Sequence, residues 1–231
     1  MRIAIYADFV CPWCYIGKRR LERAETLWRG SVDGPGAHGG DVRLERQWHP
    51  FQLNPTMPAE GMEREAYLNW KLGGPERVAF IHDRLAKEGA AEGLRFAFDR
   101  IGRMPNTLAA HRLIDWTQQR DGASETAADA LVETLFAAYF AEGRDIGDPG
   151  VLADIAAGQG LPRGDVETYL RGDGGLEAMR EADVQARVRG VNAVPCYVMG
   201  NSYALSGAQP PEVFLRMFEF ARGKRADEGA T

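Results

Sequence analysis

Val10-Cys11-Pro12-Trp13-Cys14-Tyr15 sets a C-x-x-C pair where an apolar run gives way to a basic, helix-like one. Such a pair can close a disulfide, hold a metal or lie inert in a core, and the flanking residues choose among these. Ile3 to Val10 is β-prone and apolar enough for a buried strand, while Ile16, Leu21, Ala24 and Leu27 recur with helical spacing. Pro12 suits the first turn of a helix, where its missing N–H has no partner to lose. Cys11 therefore falls at a helix N-terminus and Cys14 about one turn inside. Unpaired N–H groups and the positive end of the helix dipole stabilise a thiolate there, and such settings lower a cysteine from ~8.5 into roughly 3.5–7.5. This asymmetry makes Cys11 the exposed nucleophile and Cys14 the resolving thiol.

Zinc fails on counting. A closed structural site needs four ligands, and beyond the pair the chain has one cysteine, Cys196, and the scattered His38, His49, His82 and His111. No metal is expected. Two inert core cysteines is the bland alternative, and Pro12 at a strand-to-helix junction weighs against it. A C-x-x-C near a βαβ pattern is the signature of a thioredoxin-like redox site.

The 231 residues are enough to bury a sizeable core, and the net charge of −5 lacks the basic footprint of a nucleic-acid binder. No apolar run approaches the ~20 residues that span a bilayer, so no membrane partner is expected. The chain enters its first strand after Met1-Arg2 without a leader pattern, and the expected setting is cytoplasmic. In that reducing compartment a disulfide is catalytic or transient rather than structural. No pattern in the chain sets an oligomeric state.

After the first helix, Gly34, Gly36 and Gly39 spell G-x-G-x-x-G in a loop that follows a helix and leads into a strand, Val42 to Trp48, the reverse of a dinucleotide site. An extended segment punctuated by proline, His49 to Gly61, completes a first part, residues 1–61. Strand signals then vanish, and amphipathic helices are expected over Glu63–Lys71, Pro75–Glu88, Thr107–Arg120, Ala123–Ala141, Pro149–Gln159 and Arg163–Arg171, separated by Gly and Pro. This is an inserted helical domain, residues 62–174. A second part, residues 175–223, holds a helix to Arg189, a strand over Val191–Met199 with Pro195 inside it, a turn at Gly200-Asn201, a short strand to Leu205 and a closing helix. Residues 224–231 read as a disordered tail.

With Cys11-Pro12-Trp13-Cys14-Tyr15 at the first strand's end and Gly190-Val191-x-x-Val194-Pro195 before a late strand, the chain resembles the DsbA-like branch of the thioredoxin superfamily. Within that branch it resembles the FrnE-like proteins grouped with the 2-hydroxychromene-2-carboxylate isomerases. Asn106-Thr107-x-x-Ala110-His111-Arg112-Leu113 and Ser206-Gly207-Ala208-Gln209 extend the resemblance over nearly the whole chain. It implies an α/β, thioredoxin-like fold with an inserted all-helical domain, a cis Val194–Pro195 bond and a loop packed against the redox helix. That loop would leave Val194 backbone groups free to pair with an extended peptide or glutathione.

Two departures matter. The acidic residue that such proteins carry six positions before the nucleophile is Ile5 here, and Asp8 is a weaker proton-relay candidate or a turn residue. The histidine of DsbA is Trp13 here, which implies a milder redox centre. Cys196 should point away from the site into the core. The leading reading is a thiol–disulfide oxidoreductase acting on protein or small-molecule disulfides and thiols, with Pro12, Trp13, Asn54, Val194 and Pro195 lining its groove. Asn106, Ser206, Gly207 and Gln209 are further candidate contacts for substrate or glutathione, the latter a co-substrate rather than a bound cofactor. A glutathione-dependent isomerase or transferase acting on an aromatic or polyketide-like molecule, and a chaperone-like peptide binder, are the alternatives.

Overall fold

The β-prone run forms β1 (Arg2–Ala7), with Ile3 and Ile5 buried on one face and Tyr6 on the other. The structure, a computed structural model, describes residues 1–30, 44–120, 125–200 and 203–228. Helix α1 (Pro12–Gly30) follows directly, with Pro12 as its first residue. Its inner stripe runs Ile16, Leu21, Ala24 and then Trp28 rather than Leu27, which is half exposed. The stripe advances by four at that step, and Trp28 packs on Phe218, ring centroids 5.2 Å apart.

Strand β2 (Glu45–Pro50) lies parallel to β1 from Arg2 opposite Glu45 to Ala7 opposite Pro50. The expected strand began at Val42 and ended at Trp48; the ladder follows β1 to its end and so carries β2 through Pro50. Residues 42 and 43 and the glycine loop lie outside the described residues.

Between β2 and the next long-range strand come β3 (Met62–Glu63), α2 (Arg64–Leu72), α3 (Pro75–Ala91), β4 (Arg103–Met104), α4 (Leu108–Gln118), α5 (Glu125–Phe140), α6 (Pro149–Gly158), α7 (Arg163–Arg171) and α8 (Leu176–Val188). Local chemistry explains several boundaries. Glu63 caps α2 by accepting from the amides of Glu65 (2.9 Å) and Ala66 (2.6 Å), and Gly73, at φ 89°, ends that helix in the left-handed region. Asp148 caps α6 through the Val151 amide at 2.8 Å, with Pro149 in its first turn. The buried Arg112 guanidinium donates to the carbonyls of Tyr169, Leu170, Gly172 and Gly174, satisfying the C-terminal end of α7. Strand signals do not vanish altogether from this region. The two-residue β3 pairs antiparallel with β4, and strands that short carry no periodicity to read.

Strands β5 (Cys196–Met199) and β6 (Tyr203–Ser206) complete a mixed sheet of order β2-β1-β5-β6, and α9 (Pro211–Glu228) closes the chain. The fold is α/β with a helical insertion, as expected. Pro195 stands just before β5 instead of inside a strand, so no ladder hydrogen bond is lost to it. Helix α9 continues past Gly223 to Glu228, into the stretch expected to be a disordered tail. A single glycine is tolerated within a helix, and the following Lys, Arg, Ala, Asp and Glu bring no proline to stop it; residues 229–231 lie outside the described residues.

One apolar core runs through both the sheet layer and the insertion. Phe9 and Tyr15, which flank the cysteines, meet Phe136 of α5 at 5.4 and 5.0 Å between ring centroids. Phe96 and Phe140 extend the cluster. Aromatic pairs of this kind add about 0.5–1.5 kcal/mol each beyond their area burial, so the helical region is cemented to α1. A smaller cluster of Tyr6, Phe51, Ala186, Val191 and Cys196 covers the other sheet face. Cys196 therefore sits opposite Tyr197 in the alternation, away from the dithiol.

Candidate active site

The chain turns sharply between β1 and α1. Cys11 N–H donates to the Asp8 carbonyl and Cys14 N–H to the Cys11 carbonyl, each at 3.0 Å. These bonds place Cys11 at the head of α1 and Cys14 a turn below. Cys11 is less open than expected, at 5 % exposure, because the Val194–Pro195 loop covers it: its Sγ lies 3.8 Å from the Val194 carbonyl oxygen. That peptide bond is cis. Cys14 is 1 % exposed, and burial together with the adjacent Cys11 sulfur pushes its thiol well above the ordinary value. The pair is thus an outer sulfur beneath a loop and an inner thiol held protonated.

The loop packs on α1 without spare room. A Cβ at Gly17 would fall on the Tyr197 hydroxyl and come within 3.0 Å of the Pro195 ring. Gly207 N–H donates to the Pro195 carbonyl at 2.8 Å, and the Gln209 amide returns to the Ser206 carbonyl at 2.8 Å. Ser206, Gly207 and Gln209 therefore buttress Pro195 from behind. Arg20 of α1 ties this buttress to α3, donating to the Ala208 carbonyl (2.7 Å), Glu92 (2.9 Å) and Glu88 (2.6 Å).

The insertion also reaches the cysteine motif, through Arg84. Trp13 is half-buried, and the Arg84 guanidinium of α3 lies 5.6 Å from its ring centre. Asn54 is held by α2, its Oδ1 accepting from the Tyr67 hydroxyl and from Lys71 Nζ. Trp70 and Phe80, on α2 and α3, are 80 % and 70 % exposed. Asn106 has a different job. Its side chain accepts from the Leu108 amide and Gln52 and donates to the Met57 carbonyl, which makes it a bracket for the segment after β2.

Asp8 was legible only as a turn or weak relay residue, and His111 only as part of a motif. The structure brings them together. Both are buried, with Asp8 Oδ1 3.6 Å from His111 Nε2, while Asp8 Oδ2 accepts from the Leu53 amide at 2.7 Å. Strand periodicity could not have found this, because His111 arrives from α4. His49, without an evident partner in the sequence, stacks on Tyr6 at 4.9 Å; burial and then Arg189 hold it below the ordinary imidazole value.

A helix-capping cysteine, a buried second thiol and a proline loop over both define a dithiol site on a thioredoxin-like fold. Residues 2–219 match the family described as the DSBA-like thioredoxin domain, and the chain belongs to that family. Among solved structures it is similar to a probable DsbA oxidoreductase, SCO1869, from Streptomyces coelicolor, with 29 % identity and a TM-score of 0.81 over 96 % of this chain and 90 % of that one. A 2-hydroxychromene-2-carboxylate isomerase shares the fold at 19 % identity and a TM-score of 0.65, over 100 % of this chain and 98 % of its own. So does the cytosolic disulfide reductase DsbM from Pseudomonas aeruginosa, described with GSH, at 17 % identity and a TM-score of 0.59 over the whole of both chains.

Proposed function

We propose that this chain is a thiol–disulfide oxidoreductase that exchanges electrons through the Cys11-Pro12-Trp13-Cys14 pair. The observation that carries the reading is the position of the Cys11 sulfur between the N-terminus of α1 and the Val194 carbonyl, with Cys14 protonated one turn below. The helix end stabilises negative charge on Cys11. The Cys11 thiolate attacks a substrate disulfide, giving a mixed disulfide, and Cys14 then displaces the substrate sulfur and closes the Cys11–Cys14 bond. A substrate segment laid along Val194 is delivered to the nucleophile by backbone pairing. Pro195 offers no N–H to compete there, and Trp13 and Phe80 offer apolar surface.

Glutathione as co-substrate suits the same cleft, since Lys71 beside Asn54 and Arg84 beside Trp13 supply cationic groups for its carboxylates. Among the described residues no helix is long and apolar enough to cross a membrane. A cytoplasmic setting, where such a disulfide is transient, belongs to the same proposal, and co-fractionation with cytosolic markers checks it.

The test is trapping. Cys14→Ser should accumulate covalent mixed disulfides with substrate, while Cys11→Ser should be inert in insulin reduction; equal activity of Cys11→Ser would end the reading. The structural likeness to an isomerase and the Asn54–Lys71 contact favour a glutathione-dependent isomerase as the second reading. Turnover of an aromatic substrate that survives Cys14→Ser and strictly requires glutathione would select it.

A further inference from the structure

The sheet face turned away from the dithiol carries a second concavity. Alternation along β1 sets Arg2, Ala4 and Tyr6 on this side, opposite the buried Ile3 and Ile5. The ladders then place Gln47, Ala4, Val198 and Ala204 on one rung across all four strands. His49, Tyr6 and Cys196 form the next rung. The two rungs differ in height. The second is tall, because His49 stacks on Tyr6 at 4.9 Å and the Tyr6–Cys196 cluster takes in Ala186 and Val191 from the end of α8. The first carries short side chains and stays open: Ala4 and Val198 are half-buried, Gln47 and Ala204 exposed. A cavity of about 720 Å³ results, within the ~300–1,000 Å³ of pockets that take small organic molecules.

The charge of this cavity is one-sided. Arg2 and Arg189 line it and, among the described residues, no Asp or Glu does, in a chain whose net charge is −5. Arg2 already leans on Glu45, at 3.4 Å. Arg189, the residue that ends α8, is placed differently. Arg187 just before it pairs with Asp183, whereas Arg189 has no ion pair among the described residues. Its position at the tall end of the cavity shows in His49, whose imidazole burial and then Arg189 hold below the ordinary value. Open carbonyls at the end of a helix would repel an anion. Here those of Gln185, Ala186 and Arg187 accept from the amides of Arg189, Val191 and Gly190, so the rim presents the guanidinium instead.

We propose that this cavity is a second ligand site, taking a flat aromatic carboxylate whose ring lies on Ala4, Val198 and Ala204 and whose carboxylate meets Arg189. A floor of short side chains on a sheet matches a planar apolar group, and burial of that group supplies the affinity. The guanidinium offers two parallel donors to a carboxylate, and the absence of acidic neighbours selects the sign of the ligand. The site stands apart from the oxidoreductase reading, because its lining includes Cys196 and neither Cys11 nor Cys14.

The test uses 2-naphthoate as probe on the unmodified, reduced protein, with Cys196 as the reporter. Iodoacetamide alkylation followed by mass spectrometry should show Cys196 slowed about tenfold when nine in ten sites are filled, as mass action requires, with Cys11 unchanged. Calorimetry separates the contacts. Neutral 2-naphthamide should bind about tenfold more weakly than 2-naphthoate, and Arg189→Gln should lose a similar factor for the naphthoate alone, the scale of one exposed charge-assisted hydrogen bond. Arg2→Gln should lose less, since Glu45 already holds that charge. Ala204→Trp, on the edge strand β6, fills the floor and should abolish binding of both probes while Cys11 alkylation stays as it was. No binding of 2-naphthoate at millimolar concentration, protection of Cys11 without Cys196, equal affinity for the two probes, or full binding by Ala204→Trp overturns the proposal. A dimer in analytical ultracentrifugation that Ala204→Trp dissolves would also overturn it, giving the face to a second copy of the chain.

Discussion

The two flanks of α1 hold the redox helix in opposite ways. Toward the Val194–Pro195 loop the contact is apolar and close, with Gly17 leaving space for Tyr197 and Pro195 and for nothing more. Toward α5 it is mixed: Tyr15 stacks on Phe136, and beside that stack the contact is charged. The Lys18 ammonium, 3 % exposed, meets Glu22, Glu133 at 3.0 Å and Asp129 at 3.7 Å. Arg46 joins Asp129 to Glu25, and Arg19 and the Tyr15 hydroxyl both reach Glu133. Glu22 shows the balance on this flank: burial alone would raise it, but Lys18 and then Arg19 hold it below the usual carboxylate range. Beside the Cys11 sulfur, the geometry is set by hard contact. Where the helix is anchored to α5, an aromatic stack and long flexible charges share the work.

Breaking the charged flank should cost most. Lys18→Met leaves carboxylates in a half-dry site without their shared cation, and removing one partner of a buried pair typically costs about 3–5 kcal/mol. The low end is expected, because Glu22 and Glu133 are each 27 % exposed. Urea denaturation should show a lower midpoint at unchanged slope. The Cys11 attack rate should hold, since this flank does not touch the sulfur.

Breaking the close-packed flank should cost less in stability and more in activity. Gly17→Ala gains up to ~1 kcal/mol in helix propensity, but overpacking against a fixed neighbour costs about 1–3 kcal/mol. A small net loss is expected, together with slower insulin reduction as Pro195 is pushed off the helix. Tyr197→Phe removes the hydroxyl in the way, one without a protein partner among the described residues, and should be neutral or mildly stabilising. Combined with Gly17→Ala it should restore much of the loss. Strict additivity in that double-mutant cycle would mean that Gly17 and Tyr197 do not collide.

The smallest effect belongs to His82 of α3. His82 stacks on Phe98 at 4.2 Å, and burial first and Arg64 second lower it from 6.5 to about 4. Its neutral form is the one the fold prefers. The stability it contributes is therefore complete above pH 6.5 and is lost as pH falls from there through about 4. His82→Phe should flatten thermal stability over that window and leave the neutral-pH value nearly unchanged.

How much could be read beforehand follows from how local each feature is. The C-x-x-C, the proline after Cys11 and the Val194-Pro195 pair are runs of adjacent residues, so strand, helix start and loop were all legible, and with them the dithiol. Lys18, by contrast, lies one turn past Cys14 and reads as a solvated face. Its burial depends on carboxylates that α5 brings from far along the chain. The meeting of Asp8 with His111 is hidden for the same reason. Asn54 and Asn106 looked alike as candidate contacts, and only their partners separate a residue tied to α2 from one that braces the segment after β2.

The pairing of β3 with β4 has a bearing on how this architecture can vary. It fastens Met62 opposite Met104 and Glu63 opposite Arg103, so that α2 and α3 leave and rejoin the body at one point. Once its base is pinned, an excursion of this kind adds little closure entropy when lengthened, only about 0.6 kcal/mol for each doubling. The same excursion carries Lys71, Trp70, Phe80 and Arg84. On the oxidoreductase reading, the sulfurs stay on the frame of β1 and α1 while the exposed Trp70 and Phe80 ride on an excursion whose length can change at little entropic cost.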